Sequence, residues 1–175
     1  MNMKTKIYVL WVLLSLLSIP VTAQEKTKKE LKAERTLQKQ KETEALVESG
    51  NFVFNAEKLI PQGGGLRILD YNTYFVKFST ENAVGDLPFF GRAFNIPYGG
   101  DGGIKFEGKP EKIKIEKKKK SYIVKATVKG KDDVYDLMFT VFFDGGTTLS
   151  INSNKRASIT YDGNITAPKP ELKKE

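Results

Sequence analysis

The sequence predicts an all-β domain, an antiparallel up-and-down barrel of about eight strands preceded by a charged N-terminal helix. Three observations predict it. Short segments after Gly50 alternate apolar and polar residues with the period of a strand. Glycine, asparagine and aspartate separate these segments at regular intervals, as hairpin turns require. No helical periodicity follows Gly50. Sequential hairpins favour a meandering barrel over a Greek-key sandwich, and closure removes the exposed edges such strands would otherwise carry.

The chain opens on an export signal. Lys4 and Lys6 precede the uncharged apolar run Ile7–Ile19, and Val21-Thr22-Ala23 fits a small-residue cleavage site. The apolar run reaches only about 20 Å as a helix, short of a bilayer core of about 30 Å. Residues 1–23 are therefore expected to be removed, leaving a periplasmic or secreted protein with no stable membrane anchor. No cysteine is present to carry a lipid.

Residues 24–49 carry many charges and good helix formers, with no glycine or proline. Their apolar stripe is too thin for a coiled coil. A solvated helix is predicted, whose last turn, Ala45–Val47, docks on the domain before Gly50 stops it.

The barrel domain is predicted over 50–166. Asn51–Leu59 is the first strand, with Phe52, Phe54 and Ala56 on one face. Gly63–Gly65 and Asp70-Tyr71-Asn72 read as turns before Thr73–Ser79, where Tyr74, Val76 and Phe78 share a face. Ala83–Leu87 follows. Ile113 and Ile115 alternate with charged residues, and Lys117–Lys120 forms a solvated hairpin tip. Tyr122, Val124, Ala126 and Val128 mark one core face; Tyr135, Leu137, Phe139, Val141 and Phe143 mark another. Asp144-Gly145-Gly146 turns the chain. Leu149 and Ile151 lie on the next strand, and Ala157, Ile159 and Tyr161 on the last, which Asp162-Gly163 is expected to close. The tail 167–175 is expected to be disordered.

Charge and composition narrow the function. The formal charge is +8, and removing Lys4 and Lys6 lowers it to +6. Much of it sits in lysine runs at strand turns, where lysine blunts edges, so nucleic-acid binding is not expected. The chain has no cysteine and no histidine. That excludes cysteine nucleophiles and Ser-His-Asp triads, and leaves almost no route to a zinc site. No cofactor or metal is expected. Asp86, Asp101, Glu107 and Asp136 are the available carboxylates for a hydrolase, but no spacing selects two of them, so the protein is not expected to be an enzyme.

The most distinctive stretch is Asp86–Gly108, which reads DLPFFGRAFNIPYGGDGGIKFEG. Its glycines and rings predict a compact loop and exclude a helix. Gly99–Gly103 lacks the Gly-Lys-Ser/Thr and following helix of a phosphate loop, so it reads as turn chemistry with Asp101 capping amides. Asp101 has no acidic ladder around it for calcium. Phe89, Phe90, Arg92, Phe94, Tyr98 and Asp101 are the candidate ligand or partner residues. The rings either line a pocket mouth or plug the barrel. Arg92 either orients an anionic group or clamps Asp86 or Asp101, and the clamp is the expected role. Arg156 is expected to be structural.

The segments LPFFGRAFNIPYGGDGGIKFEG and NSNKRASITYDGNI, behind a charged helix and an export signal, resemble the family catalogued as domain of unknown function 4251 (DUF4251), from Bacteroidetes-type bacteria. The resemblance covers roughly residues 45–165. It implies an exported, lipocalin-like barrel and assigns no catalytic residue. Two functions remain open. One is a monomeric binding module for an apolar or envelope-derived small ligand. The other is an interaction protein with a filled barrel that binds or inhibits an envelope protein.

Overall fold

The computed structural model describes residues 27–94 and 102–169; the predicted export signal lies outside them. The chain divides into two units at Ala33 and Glu34. Within the first, Thr27 and Glu30 form a reciprocal cap: the Thr27 amide donates to Glu30 Oε2 at 2.8 Å, and the Glu30 amide donates to Thr27 Oγ1 at 3.3 Å. Such a box satisfies amides that a helix start leaves unpaired. The helix α1 (Lys28–Ser49) begins there.

The second unit holds the end of α1 and ten strands. They are β1 (Phe52–Pro61), β2 (Arg67–Ile68), β3 (Phe75–Phe78), β4 (Ala83–Leu87), β5 (Ile104–Gly108), β6 (Pro110–Lys117), β7 (Ser121–Lys129), β8 (Val134–Phe142), β9 (Gly146–Ser153) and β10 (Ile159–Thr166). Every pairing is antiparallel, in the order β5-β4-β3-β1-β10-β9-β8-β7-β6, with β2 added beside β1. First and last strands pair, as in a lipocalin-like up-and-down barrel. The sequence suggested about eight strands. The extra ones are β2, between two segments read as turns, and β5, within the glycine-rich stretch.

The barrel closes through a single bent strand. β5 and β6 are the two ends of the sheet, yet only Lys109 separates them in the chain. The first half pairs with β4 and the second with β7. Gly108 makes the bend possible, because a Cβ there would lie 2.5 Å from the Lys129 carbonyl oxygen. Closure is incomplete. Gly108 is opposite Ala83, the first residue of β4, so β6 runs on past β4 and leaves a seam.

A second close approach corrects one expectation. β10 does not end at Asp162-Gly163 but continues to Thr166. β1 is bulged between Ala56 and Lys58, and a Cβ on Gly163 would lie 1.9 Å from the Asn55 carbonyl oxygen. Only glycine fits there, so a residue that reads as a turn marks backbone contact inside a strand. The bulge also shifts the inward face of β1, from Phe52, Phe54 and Ala56 to Leu59 and Pro61.

Alternation fills the interior. Phe52, Phe54, Phe139, Val124, Leu149 and Tyr161 are all fully buried. The Phe139 ring lies 5.3 Å from Phe52, 6.0 Å from Phe54 and 5.6 Å from Phe78, edge-on to each. A residue lining a water-sized void keeps accessible surface, and these keep none. At one end α1 seals the barrel with Thr43 and Val47, one turn apart. Gly50 then takes a φ of 60°, the left-handed conformation that ends helices. Ala167–Lys169 has no regular structure.

Candidate functional site

The end opposite α1 carries the loop singled out by the sequence. Its support begins at Asp133 in the β7–β8 turn. That carboxylate accepts from the amides of Val134 at 2.8 Å, Asn154 at 3.2 Å and Lys155 at 3.3 Å, fixing the β9–β10 connection. Arg156 follows directly. Its guanidinium stacks over Phe89, 5.2 Å from the ring centroid, and donates to the Gly102 carbonyl at 2.6 Å. Its backbone bridges to Ala93, flanked by a bond from the Phe94 amide to the Lys155 carbonyl at 2.8 Å and one from the Ala157 amide to the Arg92 carbonyl at 2.9 Å. One arginine thus holds the loop at its start, its middle and its return.

Tyr161 adds an anchor from inside. Its buried hydroxyl donates to the Pro88 carbonyl at 2.7 Å. Burial raises its pKa far above the usual tyrosine value, only slightly offset by Arg156, so it stays a donor. Burial also raises Tyr135, reinforced by Asp133.

The six candidate residues do not form one cluster. Phe89 packs inward against the core. Gly91 permits that fold-back, since a Cβ there would lie 2.7 Å from the Phe89 ring. Phe90 and Phe94 point outward, 43% and 67% exposed. Tyr98 and Asp101 lie outside the described residues. Arg92 is exposed, and its side chain has no ion-pair or ring partner among the described residues. The expected clamp on Asp86 is absent: Asp86 sits opposite Lys105 on the neighbouring strand, with the charges 3.7 Å apart. The alternative clamp on Asp101 lies outside the described residues, and Arg156 holds the loop in keeping with its expected structural role.

Residues the sequence did not single out complete the surface. The Arg67 guanidinium lies 4.5 Å from the centre of the Phe90 ring. Its neighbours Leu66 and Ile68 are 56% and 80% exposed. The signal was the apolar pair around Arg67 after the glycine turn. A cleft of about 400 Å³ lies beside the loop, between Tyr74, Leu87, Phe89, Phe90, Gly103 and Lys105. A larger groove of about 980 Å³ runs along the outer face of β1, β3 and β4, past Val53, Phe75 and Val84.

Asp101 lies outside the described residues, and Asp86 and Asp136 sit on different strand pairs. Asp136 accepts from the Thr127 hydroxyl at 2.7 Å on the β7–β8 face, while Asp86 is tied to Lys105. Among the described residues no group of three or more acidic side chains is placed to hold a metal ion. No described helix is long and apolar enough to cross a membrane.

The model for the domain of unknown function DUF4251 matches residues 34–165. The fold matches a crystal structure of a DUF4251 family protein from Bacteroides eggerthii DSM 20697, with a TM-score of 0.60 and 21% identity, over 74% of this chain and 88% of that one. No curated protein matches the chain.

Proposed function

The chain belongs to the DUF4251 family, and from that premise we propose that it is an exported, non-catalytic interaction protein of the cell envelope. Its barrel is a filled scaffold, and its loop end docks a protein partner. The filled interior carries this reading. Tyr122, Val124, Leu137 and Phe139, which would line a ligand cavity, are 2% exposed or less. The loop end offers what a docking surface needs: exposed Phe90 and Phe94, an Arg67 stack, and an exposed Arg92 with no ion-pair partner among the described residues. Aromatics and arginines are the residue types that dominate binding energy. A partner with an acidic rim around an apolar centre fits them.

The cleft of about 400 Å³ supports a second reading, in which the same end takes a small apolar or envelope-derived ligand. Native mass spectrometry of protein recovered from its own envelope separates the two. A protein adduct lost in Phe94→Asp supports docking. A small-molecule adduct lost in Phe90→Asp supports the cleft. A bare chain under conditions that preserve known complexes would count against both.

A further inference from the structure

The seam beside β6 presents a free strand edge of defined chemistry. The hairpin fixes which way its backbone points. The Lys118 amide donates to the Ser121 carbonyl at 2.7 Å, so 118 and 121 form a hydrogen-bonded pair. In an antiparallel ladder such pairs alternate with pairs whose groups point away. Lys114 opposite Lys125 and Glu116 opposite Ile123 are therefore bonded pairs. Ile115 opposite Val124 and Lys117 opposite Tyr122 are not. Ile115 and Lys117 thus turn their amides and carbonyls to the seam, where no described strand receives them.

Side chains say what would fit. On the outer face Lys114 and Lys125 stand directly opposite each other, an arrangement that costs stability. They share one carboxylate, Glu116, which is already paired with Lys118 at 2.6 Å. Lys112, Lys119 and Lys120 add positive charge nearby, while the Lys117 ammonium is already paired with Glu44 of α1. On the inner face Ile115 is 41% exposed at the seam, although its cross-strand neighbour Val124 is fully buried. Lysines on an edge discourage ordinary strands, and a second copy would set lysine against lysine.

We propose that the β6 edge accepts an extended acidic segment of a partner protein as an added strand, with an acidic residue opposite Lys114 and apolar residues opposite Ile115. Main-chain bonds supply affinity and the two faces supply selectivity, as in other strand additions. This site is separate from the loop end, and neither reading rests on the other.

The test uses the full chain and two eight-residue peptides, (Glu-Val)4 and (Lys-Val)4. The acidic peptide should bind at least tenfold tighter, and more weakly as salt rises. Amide exchange should slow at Ile115 and Lys117 on binding, with no change at Lys114 and Glu116, which already bond to β7. Ile115→Pro removes a seam-facing donor without breaking the β7 ladder and should weaken binding at least tenfold. Lys114→Glu, which leaves Ile115 in place, should reverse the peptide preference. Equal binding of both peptides, binding without protection at Ile115 and Lys117, or no binding at millimolar peptide would overturn the proposal.

Discussion

The two ends of this barrel are closed by different physics. At the helix end the chain caps itself mainly by burial, with Val47 fully buried and Thr43 nearly so, one turn apart on α1 beside the Glu44–Lys117 ion pair. At the loop end closure is polar and local. Arg156, Asp133 and the Tyr161 hydroxyl tie three connections together through carbonyls, amides and one ring. Burial of apolar surface couples to the whole core, whereas side-chain bonds to a loop can break without unfolding it. The helix end should therefore fail with the fold, and the loop end separately from it.

The largest test of that contrast is the core both ends enclose. Phe139 touches Phe52, Phe54 and Phe78, so Phe139→Ala leaves a cavity that strands cannot collapse to fill. A loss of about 3–5 kcal/mol is expected. Denaturant melts check it, and a loss below about 1 kcal/mol would show that the rings do not hold the barrel.

Next come one residue from each end. Val47→Ala removes buried methyl groups and should cost about 2 kcal/mol of global stability. Arg156→Ala loses a stack and a hydrogen bond, about 1–2 kcal/mol, and most of it should be local. Amide exchange separates them. Val47→Ala should speed exchange throughout β1 and β8, and Arg156→Ala mainly at Phe94 and Ala157. Uniform acceleration in both variants would erase the distinction between the ends.

The sequence showed one end more clearly than the other. Periodicity located the core faces of β1, β3, β7 and β8, because burial on one side imposes a period of two whatever the loops do. It also placed the helix stop at Gly50. Buried Thr43 was not legible, since its partner surface comes from a distant β8–β9 turn. At the loop end, composition found the segment but not its wiring. Arg92 and Arg156 look alike in sequence, and only the β9–β10 turn, held by Asp133, decides which one reaches Phe89 and Gly102. Gly163 misled for a related reason: a long-range contact with Asn55 demands glycine as firmly as a turn does.

Tyr161→Phe probes the inner anchor alone. It keeps the ring and leaves the Pro88 carbonyl without its donor, costing about 1 kcal/mol. It also changes the pH response. Burial raises the folded-state pKa of Tyr161 above its unfolded value of about 10. The stability this contributes is complete below about pH 10 and is lost as pH rises towards the folded value. The parent chain should weaken above that pH, and the phenylalanine variant should weaken less steeply. Some slope will remain, because Tyr122 and Tyr135 are also raised by burial. An unchanged alkaline slope would mean that the hydroxyl is not desolvated in solution.

The smallest expected effect on stability is the most informative about function. Arg92 lies one residue from the bridge that pins the loop, and its carbonyl accepts from Ala157 at 2.9 Å, so its backbone is held. Its guanidinium is exposed and has no ion-pair partner among the described residues. A side chain with no partner among them contributes little to the fold, whereas Arg156 contributes through both ring and carbonyl. Arg92→Ala should therefore leave the melting temperature within about 2 °C, less than the shift expected for 1 kcal/mol in a chain of this size. If the loop end docks a partner with an acidic rim, the same change removes the one cation held between exposed Phe90 and Phe94. Capture of that partner should fall at least tenfold, and Arg92→Lys should restore it only in part, because an ammonium lacks the planar fork that grips two carboxylate oxygens. A melt lowered as far as that of Arg156→Ala would make Arg92 a second clamp, and the two arginines would then divide the loop between them.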